Sequence, residues 1–258
     1  MSKYIAKLPD QNNIIHFSPH EHKTWQLLFD RQKEVIKDRA CDEFIHGLAK
    51  LNYSAERIPQ CPEVSAVLQS TTGWSAVPVA AMIPLSEFFS LLANRQFPVA
   101  SFIRLREELD YLKEPDIFHE LFGHCPLLTH PAYADFVQWY GEMALRTSRE
   151  VQSLLGRLFW FTIEFGLIKT PKGLRIYGGG ILSSFVETTY ALESDAPERL
   201  PFDIQQILQS PYRYDEIQTR YYVLENLGQL FQLKTDQIFQ WVEAAILHTE
   251  SGRDFVIC

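Results

Sequence analysis

The chain has 258 residues, 46% of them hydrophobic and 22% charged, which is enough for a large buried core and unlike a disordered chain. A formal charge of −8 excludes the clustered Lys and Arg that nucleic-acid binding relies on. Cys41, Cys61, Cys125 and Cys258 are scattered with no Cys-x-x-Cys pair, which excludes a structural zinc site or redox motif of that kind and fits free thiols in a reducing compartment.

The amino terminus lacks the apolar core of a signal peptide, and residues 1–22, with His16, His20 and His22, are expected to form a loosely ordered segment. From Glu21 to Leu51 apolar residues recur at helical spacing, in two segments. Pro59, Pro62 and the turn Ser70-Thr-Thr-Gly73 bracket another short helix. Pro78 and Pro84 exclude a regular central strand or helix interior over Val77–Pro84, and Pro84 suits the first turn of a helix carrying Phe88 and Phe89. Phe97 to Leu105 reads as an extended, half-buried segment. Pro131 to Met143 and Val151 to Ile168 read as two substantial helices, the second apolar nearly all round and therefore central. Its most apolar part, Leu154 to Ile168, carries Arg157 and Glu164 and is too short to span a bilayer. Thr170-Pro-Lys-Gly173 is a turn leading to a short strand, Leu174 to Tyr177, and Gly178-Gly-Gly180 leads into a helix starting near Ser183. Tyr212 to Val223 is a candidate strand, and Thr235 caps a last helix through His248. With no repeat or long linker, the expectation is a mainly α fold with short β-strands in a single domain over 1–258, in the cytoplasm.

The stretch Glu-Pro-Asp-Ile-Phe-His-Glu-Leu-Phe-Gly-His-Cys-Pro, residues 114–126, resembles a zinc peptidase His-Glu-x-x-His with one residue too many. In a regular α-helix five positions put His124 about 140° around the axis from His119. Both rings can meet one ion only if the helix ends between them. Gly123 is expected to end it, with Pro126 blocking continuation.

Glu164 sits among aromatics in Phe-Trp-Phe-Thr-Ile-Glu-Phe-Gly. A carboxylate there must be paired, protonated or bound to metal, because burying it bare costs several kcal/mol. Two imidazoles and one carboxylate are the donor set of non-haem iron(II) oxygenases. Two other readings use the same residues. A zinc hydrolase would employ Glu120 as base, and a non-catalytic helical binding protein would treat the histidines as core residues and Glu164 as part of a buried ion pair.

Three blocks, Pro115 to Pro126, Trp160 to Gly166 and Tyr177 to Glu187, together closely resemble the aromatic amino acid hydroxylases, tetrahydropterin-dependent iron monooxygenases. The resemblance runs from about Val77 to Val223, and the chain resembles the compact bacterial form of the family. It implies His119, His124 and Glu164 as ligands of Fe(II). It implies contacts to the pterin from Phe88, Met82, Ile83 and, through water, Glu120. Arg104 is implied to hold the substrate carboxylate, Trp160 to line the aromatic pocket, and Ser183 and Glu187 to bond around the first histidine and the substrate. The implied reaction converts L-phenylalanine to L-tyrosine with O₂ and a tetrahydropterin, with tyrosine or tryptophan as the alternative substrates. Trp160 favours phenylalanine or tyrosine, because tryptophan hydroxylases usually carry phenylalanine there. Tyr214 does not match the aspartate of tyrosine hydroxylases, although Asp215 is adjacent.

The chain departs from many animal members at Phe159, where they have tyrosine, and at Leu112, where they have threonine. No regulatory domain and no tetramerisation tail are expected, and the expected assembly is a monomer or homodimer.

Overall fold

The first helix begins at a capping box that the sequence reading did not anticipate. Ser18 Oγ accepts from the Glu21 N–H at 3.3 Å, Glu21 Oε2 accepts from the Ser18 N–H at 2.6 Å, and Pro19 occupies the first turn. A computed structural model describes Tyr4 and residues 6–80, 83–110, 114–214, 216–233, 238 and 240–242. In chain order the elements are α1 (Pro19–Val35), α2 (Asp42–Leu51), α3 (Cys61–Thr72), β1 (Ser75–Val79), α4 (Leu85–Ala93), β2 (Gln96–Ala100), α5 (Cys125–Leu128), α6 (Pro131–Leu145) and α7 (Arg149–Phe159). They continue with β3 (Leu167–Thr170), β4 (Gly173–Ile176), α8 (Gly179–Leu182), α9 (Phe185–Glu193), β5 (Glu198–Pro201), α10 (Ile204–Gln209) and β6 (Arg220–Leu224). The fold is mainly α with short strands, as expected. Among the described residues no helix is long and apolar enough to cross a membrane.

Residues 6–18 correct the expectation of a loose segment. Ile15 is only 3% exposed, and its backbone exchanges two bonds with the Gln60 amide, at 2.8 and 3.2 Å. Lys7 donates from its backbone to Ser101. One buried apolar side chain and a paired backbone are enough to hold the segment against the body.

The strands form two sheets. β1 and β2 pair in parallel, Ser75 opposite Gln96, and β4-β3-β6-β5 make the larger sheet. Pro78 and Pro98 both lie in the two-stranded sheet, where each strand has one free edge that tolerates a missing N–H donor. In the larger sheet β3 and β4 are antiparallel and joined by a turn in which Gly173 takes φ +101°, while β6 runs parallel to both β3 and β5.

Three boundaries differ from the sequence reading. The apolar run from Val151 does not continue as a helix to Ile168. α7 ends at Phe159, a π-helical turn covers Trp160–Glu164, and the chain then enters β3. The Thr162 hydroxyl donates back to the Leu158 carbonyl at 2.5 Å, a bond that bends helices locally. Between Tyr212 and Val223 only Arg220 onward is strand. Ser183 closes α8 rather than opening a helix, and Ser184 is the cap of α9. Ile238 and residues 240–242 are helical, while Thr235, Met82, Leu112 and Asp215 lie outside the described residues.

An aromatic cluster anchors the segment that carries the histidines. Trp25 meets Phe118 edge-on at 5.4 Å, Phe29 meets Phe122 at 5.7 Å, and Phe118 stacks on Phe122 at 5.0 Å. Full burial of each such ring is worth roughly 1.5–3 kcal/mol. Leu121 and Cys125 are buried beside them. With that face fixed in the core, His119 and His124 are directed the other way.

Candidate active site

The helix does not stop between His119 and His124. Residues His119–His124 form a π-helical turn and α5 follows directly, with the Cys125 N–H bonded to the Glu120 carbonyl five residues back. Such i→i+5 bonding widens the turn, so residues five apart come to lie on the same side. Gly123 therefore does not act as a left-handed terminator, and Pro126 does not end the helix. Pro126 instead favours the wide turn, because it has no N–H to donate and its ring would clash with the carbonyl four residues back in a regular helix. Gly123 serves close packing. A Cβ there would lie 2.6 Å from the Gly179 carbonyl oxygen.

The turn brings His119 Nε2 and His124 Nε2 to 3.0 Å from one another. Glu164, at the end of the second π-helical turn, places Oε1 3.3 Å from His124 Nε2 and Oε2 3.6 Å from His119 Nε2. The three residues implied as metal ligands thus converge on one point. On the far side of its ring, His119 Nδ1 is 2.9 Å from Ser183 Oγ, and that hydroxyl donates to the Gly180 carbonyl at 3.3 Å. Ser183 is then the acceptor for an Nδ1 proton, which leaves Nε2 bare toward Glu164. The His124 ring lies against Gly179, where a Cβ would come within 2.5 Å of Nδ1.

Glu120 also offers an oxygen within 4.8 Å of both imidazoles, so two acids compete for the role of third ligand. Their protonation separates them. Burial works to raise the pKa of Glu164, but His124 and His119 beside it hold the carboxyl below its ordinary value. Burial and the neighbouring Glu164 and Asp116 push Glu120 well above its own. Burial brings His119 down to about 4, so it is neutral at physiological pH. Metal ligands must be deprotonated, and the opposite directions of these two carboxyl shifts favour Glu164 over Glu120 as the acidic ligand. This donor set, two imidazole nitrogens and a carboxylate 3.0–3.6 Å apart, fits a divalent transition metal.

A cavity of about 290 Å³ opens onto this cluster, lined by Arg104, Glu114, His119, Trp160, Glu164, Phe165, Ser183, Glu187, Ile217 and Gln218 among others. Arg104 is the one cation among the described lining residues. The Arg104 guanidinium is gripped by Asp116, Nε and Nη2 each 2.9 Å from a carboxylate oxygen, and Asp116 also accepts the backbone N–H groups of Arg104 and His119. Trp160 stacks on Tyr212 at 4.6 Å and donates its indole N–H to Gln218 Oε1 at 2.9 Å. Glu187 accepts from the Gln218 N–H at 3.2 Å and from the Tyr221 hydroxyl, and burial raises its pKa to about 7.

Two of the residues implied to meet the pterin sit apart from this lining. Phe88, on α4, packs edge-on against Phe159 at 5.6 Å, and Ile83 precedes that helix; neither lines the cavity. Sequence reasoning assigned no role to Asp116 or Gln218. A buried arginine requires a counter-charge, which points to an acid such as Asp116 between Pro115 and Ile117. No comparable signal marks Gln218.

The sequence pattern of the biopterin-dependent aromatic amino acid hydroxylases matches residues 3–244. The chain is 51% identical over 245 residues to a phenylalanine-4-hydroxylase of Pseudomonas aeruginosa, covering 95% of this chain and 93% of that one. It is 48% identical to that of Vibrio cholerae, covering 95% and 85%. It superposes on the cold-active phenylalanine hydroxylase of Colwellia psychrerythraea with a TM-score of 0.93 at 52% identity, covering 95% of each chain. A Chromobacterium violaceum phenylalanine hydroxylase with bound iron(III) and 7,8-dihydrobiopterin gives 0.86 at 42% identity, covering 93% of this chain and 87% of that one. The chain belongs to the biopterin-dependent aromatic amino acid hydroxylase family.

Proposed function

We propose that the protein is a phenylalanine 4-monooxygenase that converts L-phenylalanine to L-tyrosine with O₂ and a tetrahydropterin. The observation that carries this reading is the convergence of His119, His124 and Glu164 at the floor of a cavity whose walls hold Arg104 and Trp160. The oxygen-activating chemistry would come from an Fe(II) held by those three residues together with the pterin.

The protein's own part is positioning. Arg104 would pair with the substrate carboxylate through the guanidinium edge that Asp116 leaves open. Trp160 and Phe165, packed against each other at 4.6 Å, would together form an apolar wall for the aromatic ring and keep water from it. Phe88, Met82 and Ile83 would meet the pterin, and Glu120 would approach it through water. With Phe159 in place of tyrosine, the neighbour of Phe88 offers no hydroxyl there. A cytoplasmic monomer or homodimer completes the reading.

Purified protein loaded with iron is tested with phenylalanine, tyrosine and tryptophan in competition, in the presence of a tetrahydropterin and O₂. Tyrosine formation from phenylalanine as the preferred reaction is the expected result. A much faster turnover of tyrosine or tryptophan would overturn the substrate assignment.

A further inference from the structure

Gln218 is 5% exposed and has its amide engaged on both sides. Its Oε1 accepts the indole N–H of Trp160 at 2.9 Å, and its Nε2 donates to the carbonyls of Arg213 at 2.7 Å and Glu216 at 3.0 Å. Its backbone N–H reaches Glu187 Oε1 at 3.2 Å. An indole is a donor only, so among these groups Gln218 is what fixes the edge of the Trp160 ring.

The two things joined are two walls of one cavity. Trp160 opens the π-helical turn that ends in Glu164. The loop closed by the amide carries Tyr214, Glu216 and Ile217, all of which line the cavity. The amide bonds tie the Arg213 and Glu216 carbonyls of this segment to the Trp160 wall. A shift of Gln218 therefore moves the indole wall and the loop wall together, and the gap between them is where an aromatic side chain must fit.

We propose that Gln218 is a positioning residue that sets the width of the aromatic slot, and thereby selects a single six-membered ring over an indole. This rests on the aromatic amino acid hydroxylase reading above. The side chain borders the cavity but spends its hydrogen bonds on Trp160 and the carbonyls of Arg213 and Glu216, and it acts through them.

The test uses Gln218→Met, which removes all three amide bonds at similar length, and Gln218→Glu, which keeps an acceptor for Trp160 but loses both donors to the loop. Steady-state kinetics with phenylalanine and with tryptophan are combined with the indole ¹H–¹⁵N spectrum, Trp160 being assigned from Trp160→Phe. In Gln218→Met the Trp160 indole proton is expected to exchange at least roughly tenfold faster, while Gln218→Glu keeps it protected. Both variants are expected to raise KM for phenylalanine about tenfold, to leave KM for the pterin within about twofold, and to raise the tryptophan-to-phenylalanine ratio of kcat/KM. An unchanged ratio with KM for phenylalanine within about twofold of the parent in Gln218→Glu overturns the proposal even if Gln218→Met fails to fold. Failure of the parent protein to make tyrosine would instead overturn the functional reading, and the exchange experiment would still decide whether Gln218 holds Trp160.

Discussion

Arg104 and Asp116 form a two-pronged ion pair in the interior, with Nε and Nη2 each 2.9 Å from a different carboxylate oxygen. Both side chains are almost fully removed from water. In such a place neither charge is stable alone, and the pair fixes the guanidinium plane relative to the cavity it lines. Asp116→Asn is expected to lower stability by about 3–5 kcal/mol, because it leaves a buried cation without its counter-charge. KM for phenylalanine should rise in the same variant as Arg104 loses its fixed orientation. Denaturant unfolding and steady-state kinetics together check both parts; a variant as stable as the parent would show that Arg104 has found another partner.

The same pair has a signature in acid. Burial works to raise the pKa of Asp116, but the Arg104 charge and the N–H groups of His119 and Arg104 hold it below its ordinary value. A carboxyl depressed in the folded state contributes stability that is fully present above its unfolded pKa of about 3.9. That contribution is lost as pH falls below this value and through the folded pKa. Melting temperature recorded from pH 5 downward should fall more steeply for the parent than for Asp116→Asn.

The helices and the donor set were legible in the sequence, and the geometry joining them was not. The two-segment pattern of Glu21 to Leu51 and the turn at Gly173 follow from local chemistry, which a single sequence carries, whereas the cap at Ser18 lay inside a stretch expected to be loose. His119, His124 and Glu164 were singled out through the resemblance of the three sequence blocks, since their residue types alone also suited a zinc hydrolase or a buried ion pair. The π-helical turns were not, since they arise from a tertiary compromise. Phe118 and Phe122 must face Trp25 and Phe29, Gly123 must approach Gly179, and both rings must still meet Glu164. A local rule that equates glycine with a helix stop misses this, although Pro126 was a clue to the widened turn. Gln218 stayed invisible because all its partners are distant in the chain or are backbone carbonyls.

Metal retention should depend on groups that never touch the ion. Ser183→Ala removes the acceptor on His119 Nδ1, and loss of such a partner typically costs 10–100-fold in metal affinity or activity. Gly179→Ala should act on the other ligand, because the added Cβ would sit 2.5 Å from His124 Nδ1 and push the ring aside. Metal content after dialysis against a graded chelator reads both effects. A Gly179→Ala protein holding iron as tightly as the parent would show that the backbone of α8 yields instead.

Glu187 supplies a pH dependence of opposite sign to that of Asp116. Burial raises its pKa to about 7, only partly offset by the bonds from Tyr221 and Gln218. An unfolded glutamate titrates near 4.3, so between about 4.3 and 7 the folded chain holds a proton that the unfolded chain has released. Stability must then fall as pH rises across that interval, by roughly 3 kcal/mol in all for this group, and level off above it. Glu187→Gln keeps an oxygen for the Tyr221 hydroxyl and the Gln218 N–H but cannot ionise. It should remove that part of the slope, matching the parent near pH 4 and exceeding it in stability at pH 8. The comparison is made on metal-free protein by denaturant unfolding at a series of pH values, so that proton release by the metal ligands does not enter. Parallel curves for the two proteins from pH 4 to 8 would mean that Glu187 is ionised throughout, with its charge held by Tyr221 and the Gln218 backbone.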